Sequence, residues 1–376
     1  MREKVSVIGI GRLGLSFALL LDSKGYDVMG CDVNETYIDS LKDKTFSSKE
    51  PEVNELLKRS EMQFTTDAVT AFNHSDLIFV FVPTPSKVGG NYDHNYIDQV
   101  VFKLLGNKIT DKTLVIGCTV MPGFCRSLQE RLSHPNISVV YSPEFIAQGS
   151  IIDGLRNADL VLVGGENIPV LIWEIYKDIM DKEPLFKNLS LTGAEIAKIS
   201  INCFLTLKIS FANLIGEIAT NSKEEDSIAA ILDTIGSDSR IGKKYLSYGF
   251  PAGGICLPRD QKALNHHAYS VGVNTKFTHA IDTENNRHSS YLFDYYQKRN
   301  PDKDIPFSFS YLSYKKGVDI LTDSYQLKLC IDLLRAGYKV IVPASVTKMD
   351  TSEEFNRYVA YGVVSFEQKS NAIRIN

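Results

Sequence analysis

Val5-Ser6-Val7-Ile8-Gly9-Ile10-Gly11-Arg12-Leu13-Gly14 decides the fold. Residues 4–10 form a short, apolar, β-branched run, the mark of a parallel strand buried on both faces. The run ends in a G-x-G-x-x-G on Gly9, Gly11 and Gly14, and residues 15–24 then read as a helix closed by Gly25. A second strand over 27–31 ends in Asp32, about 20 residues after the glycines, where a ribose-binding carboxylate belongs. Strand, glycine turn, helix, strand and acid in this register predict a dinucleotide site on Gly9, Gly11, Leu13, Gly14 and Asp32. A carboxylate there accepts the ribose hydroxyls and repels a 2′-phosphate, so NAD is expected rather than NADP. The alternative reading of Asp32 is an ordinary turn acid.

Further apolar runs at 77–82, 113–117, 138–141 and 159–164 alternate with helical material. That alternation predicts a doubly wound parallel sheet whose ligands bind at the carboxyl ends of its strands. Those ends carry Pro83-Thr84-Pro85, then Cys118-Thr119-Val120-Met121-Pro122-Gly123, then Tyr141-Ser142-Pro143-Glu144-Phe145. Each alone is a plain turn; three at successive strand ends point to one shared site.

The pattern changes over 192–222 to a single long helix. Thr192 and Glu195 have capping-box spacing at its start. Lys198 and Asn202, four apart, share a face; they read either as an oxyanion-stabilising pair or as a solvated polar stripe. A helix of this length is expected to bridge domains and to carry a dimer interface. After it come Asp238-Ser239-Arg240, Tyr245 and Tyr248, basic and aromatic groups suited to a phosphate and a planar base, or else a solvated turn.

Next stands Gly249-Phe250-Pro251-Ala252-Gly253-Gly254-Ile255-Cys256-Leu257-Pro258-Arg259-Asp260. Two adjacent glycines let backbone approach a ligand closely, and Pro258 opens a helical run over 261–271. A thiol just ahead of a helix start feels the positive end of the macrodipole, which favours thiolate. Cys256 is therefore read as a nucleophile on a glycine-rich substrate loop, against the alternative of a buried structural thiol. Beyond residue 304, a strand at 306–312, a helix at 325–336 and a strand at 339–343 form a second, smaller β-α-β unit, and 358–365 looks strand-like.

Composition narrows the classes. The chain has 376 residues, enough for two or three domains, and its net charge of -4 gives no support for nucleic-acid or anionic-membrane binding. No apolar run of ~18 residues stands out, so no membrane span is expected. The N-terminus leads straight into a strand and lacks a signal-peptide pattern. Six scattered cysteines without metal spacing argue for reduced thiols in a cytoplasm and against zinc or disulfides.

Several blocks together resemble the nucleotide-sugar 6-dehydrogenases, the UDP-glucose/GDP-mannose dehydrogenase family. The cysteine loop 253–260, the Lys198–Asn202 helix, Thr119-Val120-Met121-Pro122-Gly123 and Ser142-Pro143-Glu144-Phe145 carry the resemblance. It implies an NAD-binding Rossmann domain (1–191), a central helical dimer domain (192–295) and a smaller Rossmann-like nucleotide-sugar domain (296–376). It also implies a four-electron oxidation of a sugar's primary alcohol to a carboxylate through a thiohemiacetal and a thioester on Cys256. UDP-glucose is the expected substrate, with a UDP-N-acetyl-hexosamine as the alternative.

In that reading Lys198 and Asn202 stabilise oxyanions, while Asp260 with Thr119 and a water moves protons. Glu144 is the competing carboxylate for activating water. Pro83, Thr84 and Thr119 border the cofactor. Glu144, Phe145, Tyr245, Tyr248, Phe250 and Gly253 line the substrate, with Arg240 reaching in from a neighbouring subunit and Lys315 from the last domain. The chain departs from the family at Thr322, where an arginine is usual, and at Arg259, Pro251-Ala252, Cys118 and Asp159. A two-electron hydroxyacid dehydrogenase and a weakened, regulatory homologue are the competing readings.

Overall fold

The computed structural model describes residues 3–134, 136–146, 149–349, 351–366 and 371–375. The chain forms two compact units, Met1–Ile199 and Ser200–Asn376.

The N-terminal unit is built on eight strands: β1 (Lys4–Ile8), β2 (Asp27–Cys31), β3 (Gln63–Thr65), β4 (Leu77–Val80), β5 (Thr113–Ile116), β6 (Ser138–Tyr141), β7 (Val161–Gly164) and β8 (Phe186–Leu189). Their spatial order is β3-β2-β1-β4-β5-β6-β7-β8. Successive side chains of a strand point to opposite faces. Val5 and Val7 of β1 therefore join one apolar cluster, with Leu15, Phe17 and Leu20 of the helix Arg12–Ser23, while Ile8 joins the cluster on the other face. Helices cover both faces, which is the doubly wound arrangement. One pair departs from a fully parallel sheet: β6 and β7 run antiparallel, meeting at Tyr141 and Gly164. The connection between them carries the six-residue helix Ile151–Arg156, whose Ile151, Ile152 and Leu155 join the same apolar cluster as Val5 and Val7.

The helix Leu191–Asn221 is 31 residues long. Its start is capped by Ser190, whose hydroxyl accepts from the Gly193 amide at 3.1 Å, so the Thr192–Glu195 capping box does not form. Glu195 is instead fully buried and accepts from the amides of Gly123 and Cys125 at 2.5 and 2.7 Å, at the start of the helix Phe124–Leu132. There Glu195 takes two amide bonds at the positive end of a helix, where a capping box would give it one. Burial still pushes the Glu195 carboxyl up, against the pull of those two amides. An 18-residue window of the long helix has mean hydropathy 1.4, apolar enough by length and composition to cross a membrane. The sequence reading of no such run is corrected on that point.

The C-terminal unit continues with the helices Ile228–Ser237, Leu257–Ser270 and Lys276–Arg299. Four short parallel strands follow: β9 (Phe307–Phe309), β10 (Val340–Ile341), β11 (Val364–Ser365) and β12 (Ile373–Ile375), in the order β11-β10-β9-β12. The helix Tyr325–Arg335 packs its Leu329, Cys330 and Leu333 into the core of this sheet. Residues 358–365 are not one strand. The helix Glu353–Ala360 reaches into them because the Ser352 hydroxyl caps the Phe355 amide and two acids occupy the first turn.

Candidate active site

In the N-terminal unit the three glycines of the first turn do different work. Gly9 has φ +85°, and a Cβ on it would lie 2.7 Å from the Phe81 carbonyl oxygen; one on Gly14 would lie 2.1 Å from the Gly9 oxygen. Both positions are closed by the protein's own packing. At Gly11 a Cβ would meet no atom within 4 Å. Gly11 is also the N-cap of the helix Arg12–Ser23 and supplies no side-chain bond to its first amides. The positive end of the helix is thus left open at a residue with no side chain, the arrangement that receives a pyrophosphate. Asp32 stands one residue past β2 and accepts from the Asn34 amide at 3.1 Å. The residues fit NAD.

Thr84 is buried after β4, and its hydroxyl donates to the Thr119 carbonyl at 2.8 Å, tying two strand-end turns together. Pro83 beside it is exposed. Beyond β6, Tyr176 of the helix Val170–Ile179 donates its phenol proton to Glu144 Oε1 at 2.8 Å. With that proton engaged, the Ser142 hydroxyl at 2.8 Å donates to the Tyr176 oxygen. Burial pushes the Glu144 carboxyl up to about 7, against the opposing pull of the Tyr176 bond and the Lys198 charge. Lys198 is 7% exposed; its ammonium donates to the Glu144 backbone carbonyl at 2.7 Å and lies 4.3 Å over the Phe145 ring. Glu144, Phe145 and Lys198, read separately from sequence, meet here. Tyr176 was not singled out from the sequence. The available signal was a tyrosine on the buried face of its helix, beside Ile172, Ile175 and Ile179, where a phenol needs a partner.

In the C-terminal unit Cys256 is exposed and is the N-cap of the helix Leu257–Ser270, with Pro258 in its first turn. Cys31, Cys125, Cys203 and Cys330 are buried, and burial pushes the Cys31 and Cys203 thiols up to about 12. Cys256 does not belong with these structural thiols. One turn along the helix, the Asp260 amide donates to the Cys256 carbonyl at 2.9 Å. The Asp260 carboxylate is 1% exposed; it accepts from Asn202 Nδ2 at 2.6 Å and stands 3.5 Å from Arg259 Nε. Asn202 and Asp260 are therefore one hydrogen-bonded pair, not two independent groups. An amide carries two N–H donors, and this bond uses one of them.

The space beside the paired glycines of the loop is filled by the chain itself. A Cβ on Gly253 would lie 2.4 Å from the Asp323 carbonyl oxygen, and one on Gly254, at φ +81°, would lie 2.5 Å from the Tyr314 ring. Their close approach is to the chain itself. Phe250 packs its ring on the core of the small sheet. Tyr248 covers Gly216, where a Cβ would lie 2.0 Å from its ring, and is partly buried. Tyr245 is exposed, as is Lys315. Arg240 is exposed and forks onto the Asp238 carboxylate at 2.7 and 3.0 Å. Of the departures, Asp159 stands 3.8 Å from Lys182 on the surface, and nothing in the structure explains Thr322.

A Rossmann turn open at Gly11, with an acid after the second strand, defines a dinucleotide-binding protein. The chain matches the NAD binding domain of the UDP-glucose/GDP-mannose dehydrogenase family over residues 3–180 and the central domain of that family over residues 192–287. It is 30% identical over 304 residues to the UDP-glucose 6-dehydrogenase TuaD of Bacillus subtilis, covering 78% of this chain and 65% of that relative's own length. It is 26% identical over 362 residues to the GDP-mannose 6-dehydrogenase of Pseudomonas savastanoi pv. phaseolicola, covering 90% of this chain and 80% of that one. Its fold is that of a UDP-glucose dehydrogenase from the archaeon Pyrobaculum islandicum, with TM-score 0.84, 24% identity, and 98% and 87% of the two chains covered. The chain belongs to the UDP-glucose/GDP-mannose dehydrogenase family, and its N-terminal unit is an NAD-binding domain.

Proposed function

We propose that this chain is an NAD-dependent nucleotide-sugar 6-dehydrogenase that oxidises the primary alcohol of a UDP-sugar, UDP-glucose foremost, to the uronic acid. A UDP-N-acetyl-hexosamine is the alternative substrate. The observation that supports it best is the exposed Cys256 thiol at a helix start, one turn from an Asp260 carboxylate bonded to Asn202 at 2.6 Å. When bound, NAD takes up one hydride at each of two oxidations.

The residues divide the remaining work. Asp260, with Thr119, accepts the alcohol proton as the aldehyde forms. The Cys256 thiolate then forms a bond to the aldehyde carbon, and the carbonyl π pair moves onto oxygen. Lys198 and Asn202 stabilise that alkoxide and the thioester carbonyl that follows the second oxidation. Water attacks the thioester, the carbon–sulfur bond breaks, and the thiolate is restored. Glu144, at about 7, suits the group that accepts the water's proton at neutral pH.

Within this reading, 1–191 binds NAD, 192–295 carries the catalytic helix and loop, and 296–376 holds the nucleotide sugar, with Arg240 and Lys315 among its contacts. A second copy docks on the long helix. Phe204, Phe211 and Ile218 recur every seven residues, with Leu214 between them, and are 37–61% exposed, a self-complementary stripe of coiled-coil period. A reducing cytoplasm fits six cysteines scattered without pairing motifs.

The test is the NADH yield on a panel of UDP- and GDP-sugars. Two NADH per sugar are expected for one UDP-sugar, and Cys256→Ser should stop after one or accumulate aldehyde. Full two-step turnover by Cys256→Ser, or no turnover on any member of the panel, overturns the reading.

A further inference from the structure

The loop 249–256 is held by a buried polar network that the proposed chemistry does not use. His288, on the helix Lys276–Arg299, is 1% exposed. Its Nε2 stands 2.7 Å from the Gly249 carbonyl oxygen and its Nδ1 stands 2.6 Å from Glu217 Oε1. Arg287 donates to both Glu217 oxygens, at 2.8 and 3.0 Å, and also to Glu284. A carboxylate holding that guanidinium fork is ionised and only accepts, as a carbonyl does. Both His288 nitrogens therefore donate, and the ring bridges a buried carboxylate to the loop backbone. The Tyr248 and Tyr291 rings lie 5.7 and 5.8 Å away and fix its plane.

Two asparagines act on the same loop. Asn213 accepts from the Gly249 amide at 2.9 Å, and Asn285 binds both the amide and the carbonyl of Ala252, at 2.7 and 2.9 Å. Asn213, Asn285 and Glu217 are all buried. A buried ion pair adds little or nothing to stability over well-packed apolar groups, and its better-attested use is to specify one geometry among several. This network fixes the backbone that carries Phe250, Gly253 and Cys256.

We propose that His288, oriented by Glu217, is a positioning residue that holds the cysteine-bearing loop in its reactive shape. The proposal rests on the reading of Cys256 as the nucleophile. It needs no other group to change, and it places the effect on the thiol's geometry and not on cofactor binding.

Three measurements on the full-length chain test it. Nitrogen-15 NMR of histidine-labelled wild-type protein should give two ring N–H signals for His288, assigned by their loss in a variant; a single ring N–H overturns the bridge. His288→Asn keeps a donor towards Glu217 and loses the Gly249 bond, whereas His288→Gln keeps a donor long enough to reach Gly249. Iodoacetamide labelling of Cys256, read by peptide mass, should change several-fold in His288→Asn and return towards wild type in His288→Gln. Turnover should follow, with kcat down about 10- to 100-fold in His288→Asn at little change in the KM for NAD, as expected of a reacting group displaced by an ångström. Equal labelling in all three proteins, or equal damage in both variants, overturns the proposal. A labelling change with Cys256→Ser still fully active would instead leave the clamp intact and sink the nucleophile reading.

Discussion

The turn at Gly9–Gly14 and the loop at Gly253–Gly254 are both glycine-rich stretches leading into a helix, yet their glycines are empty of side chain for opposite reasons. At Gly11 the missing side chain leaves space that no protein atom fills. At Gly253 and Gly254 the space is already taken, by Asp323 and Tyr314. The first is an opening towards a ligand; the second is a weld between the cysteine loop and a distant stretch of the same unit. The glycines of the cysteine loop are packed against the chain itself, and the exposed group at its end is the Cys256 thiol.

That contrast can be broken by substitution. The largest effect belongs to the welded side. Asn202→Ala removes the donor on Asp260 and should lower kcat by ~10²–10³, the usual loss for one oxyanion-site donor; a steady-state rate within threefold of wild type would refute the assigned role.

Gly254→Ala forces a Cβ against the Tyr314 ring at a positive φ. It should cost ~1–3 kcal/mol in a denaturant titration, as overpacking does. Gly11→Ala should leave the unfolding midpoint within about 0.5 kcal/mol of wild type while weakening NAD binding by calorimetry. If Gly11→Ala unfolds as easily as Gly254→Ala, the two turns are alike and the contrast fails.

The mildest effect concerns Glu144. Its folded carboxyl is raised to about 7, so its burial favours the fold below the ordinary carboxylate range. That contribution is lost as pH rises through 7. The Tyr176 phenol stabilises the ionised form. Tyr176→Phe should therefore move the acid limb of the pH–rate profile to higher pH, by about a unit for one such bond. A limb that stays put, or moves to lower pH, contradicts the role of Tyr176.

Much of this was legible in the residues. β1, the glycine turn and β2 announce themselves because a buried parallel strand is continuously apolar and a left-handed turn wants glycine. The groups proposed for catalysis could be picked out equally, since a lysine, an asparagine and a cysteine near a helix start are chemical statements in themselves. What failed did so at partners distant in sequence. Glu195 has the spacing of a local cap, yet it caps a helix that starts at Phe124. Tyr176 and His288 look like ordinary helix residues until Glu144 and Gly249 arrive beside them. Residues 358–365 have strand-forming side chains, but the capping Ser352 extends a helix into them.

By itself the sequence determined the dinucleotide-binding architecture and the cofactor class, because period and turn chemistry are local properties. Only the tertiary structure decided which glycines are open and which are packed, that Asn202 is bonded to Asp260, that Tyr176 is bonded to Glu144, and that a buried histidine meets the Gly249 carbonyl. Those are statements about which groups lie within about 3 Å of one another, and distances between remote residues are set by the packing of whole elements.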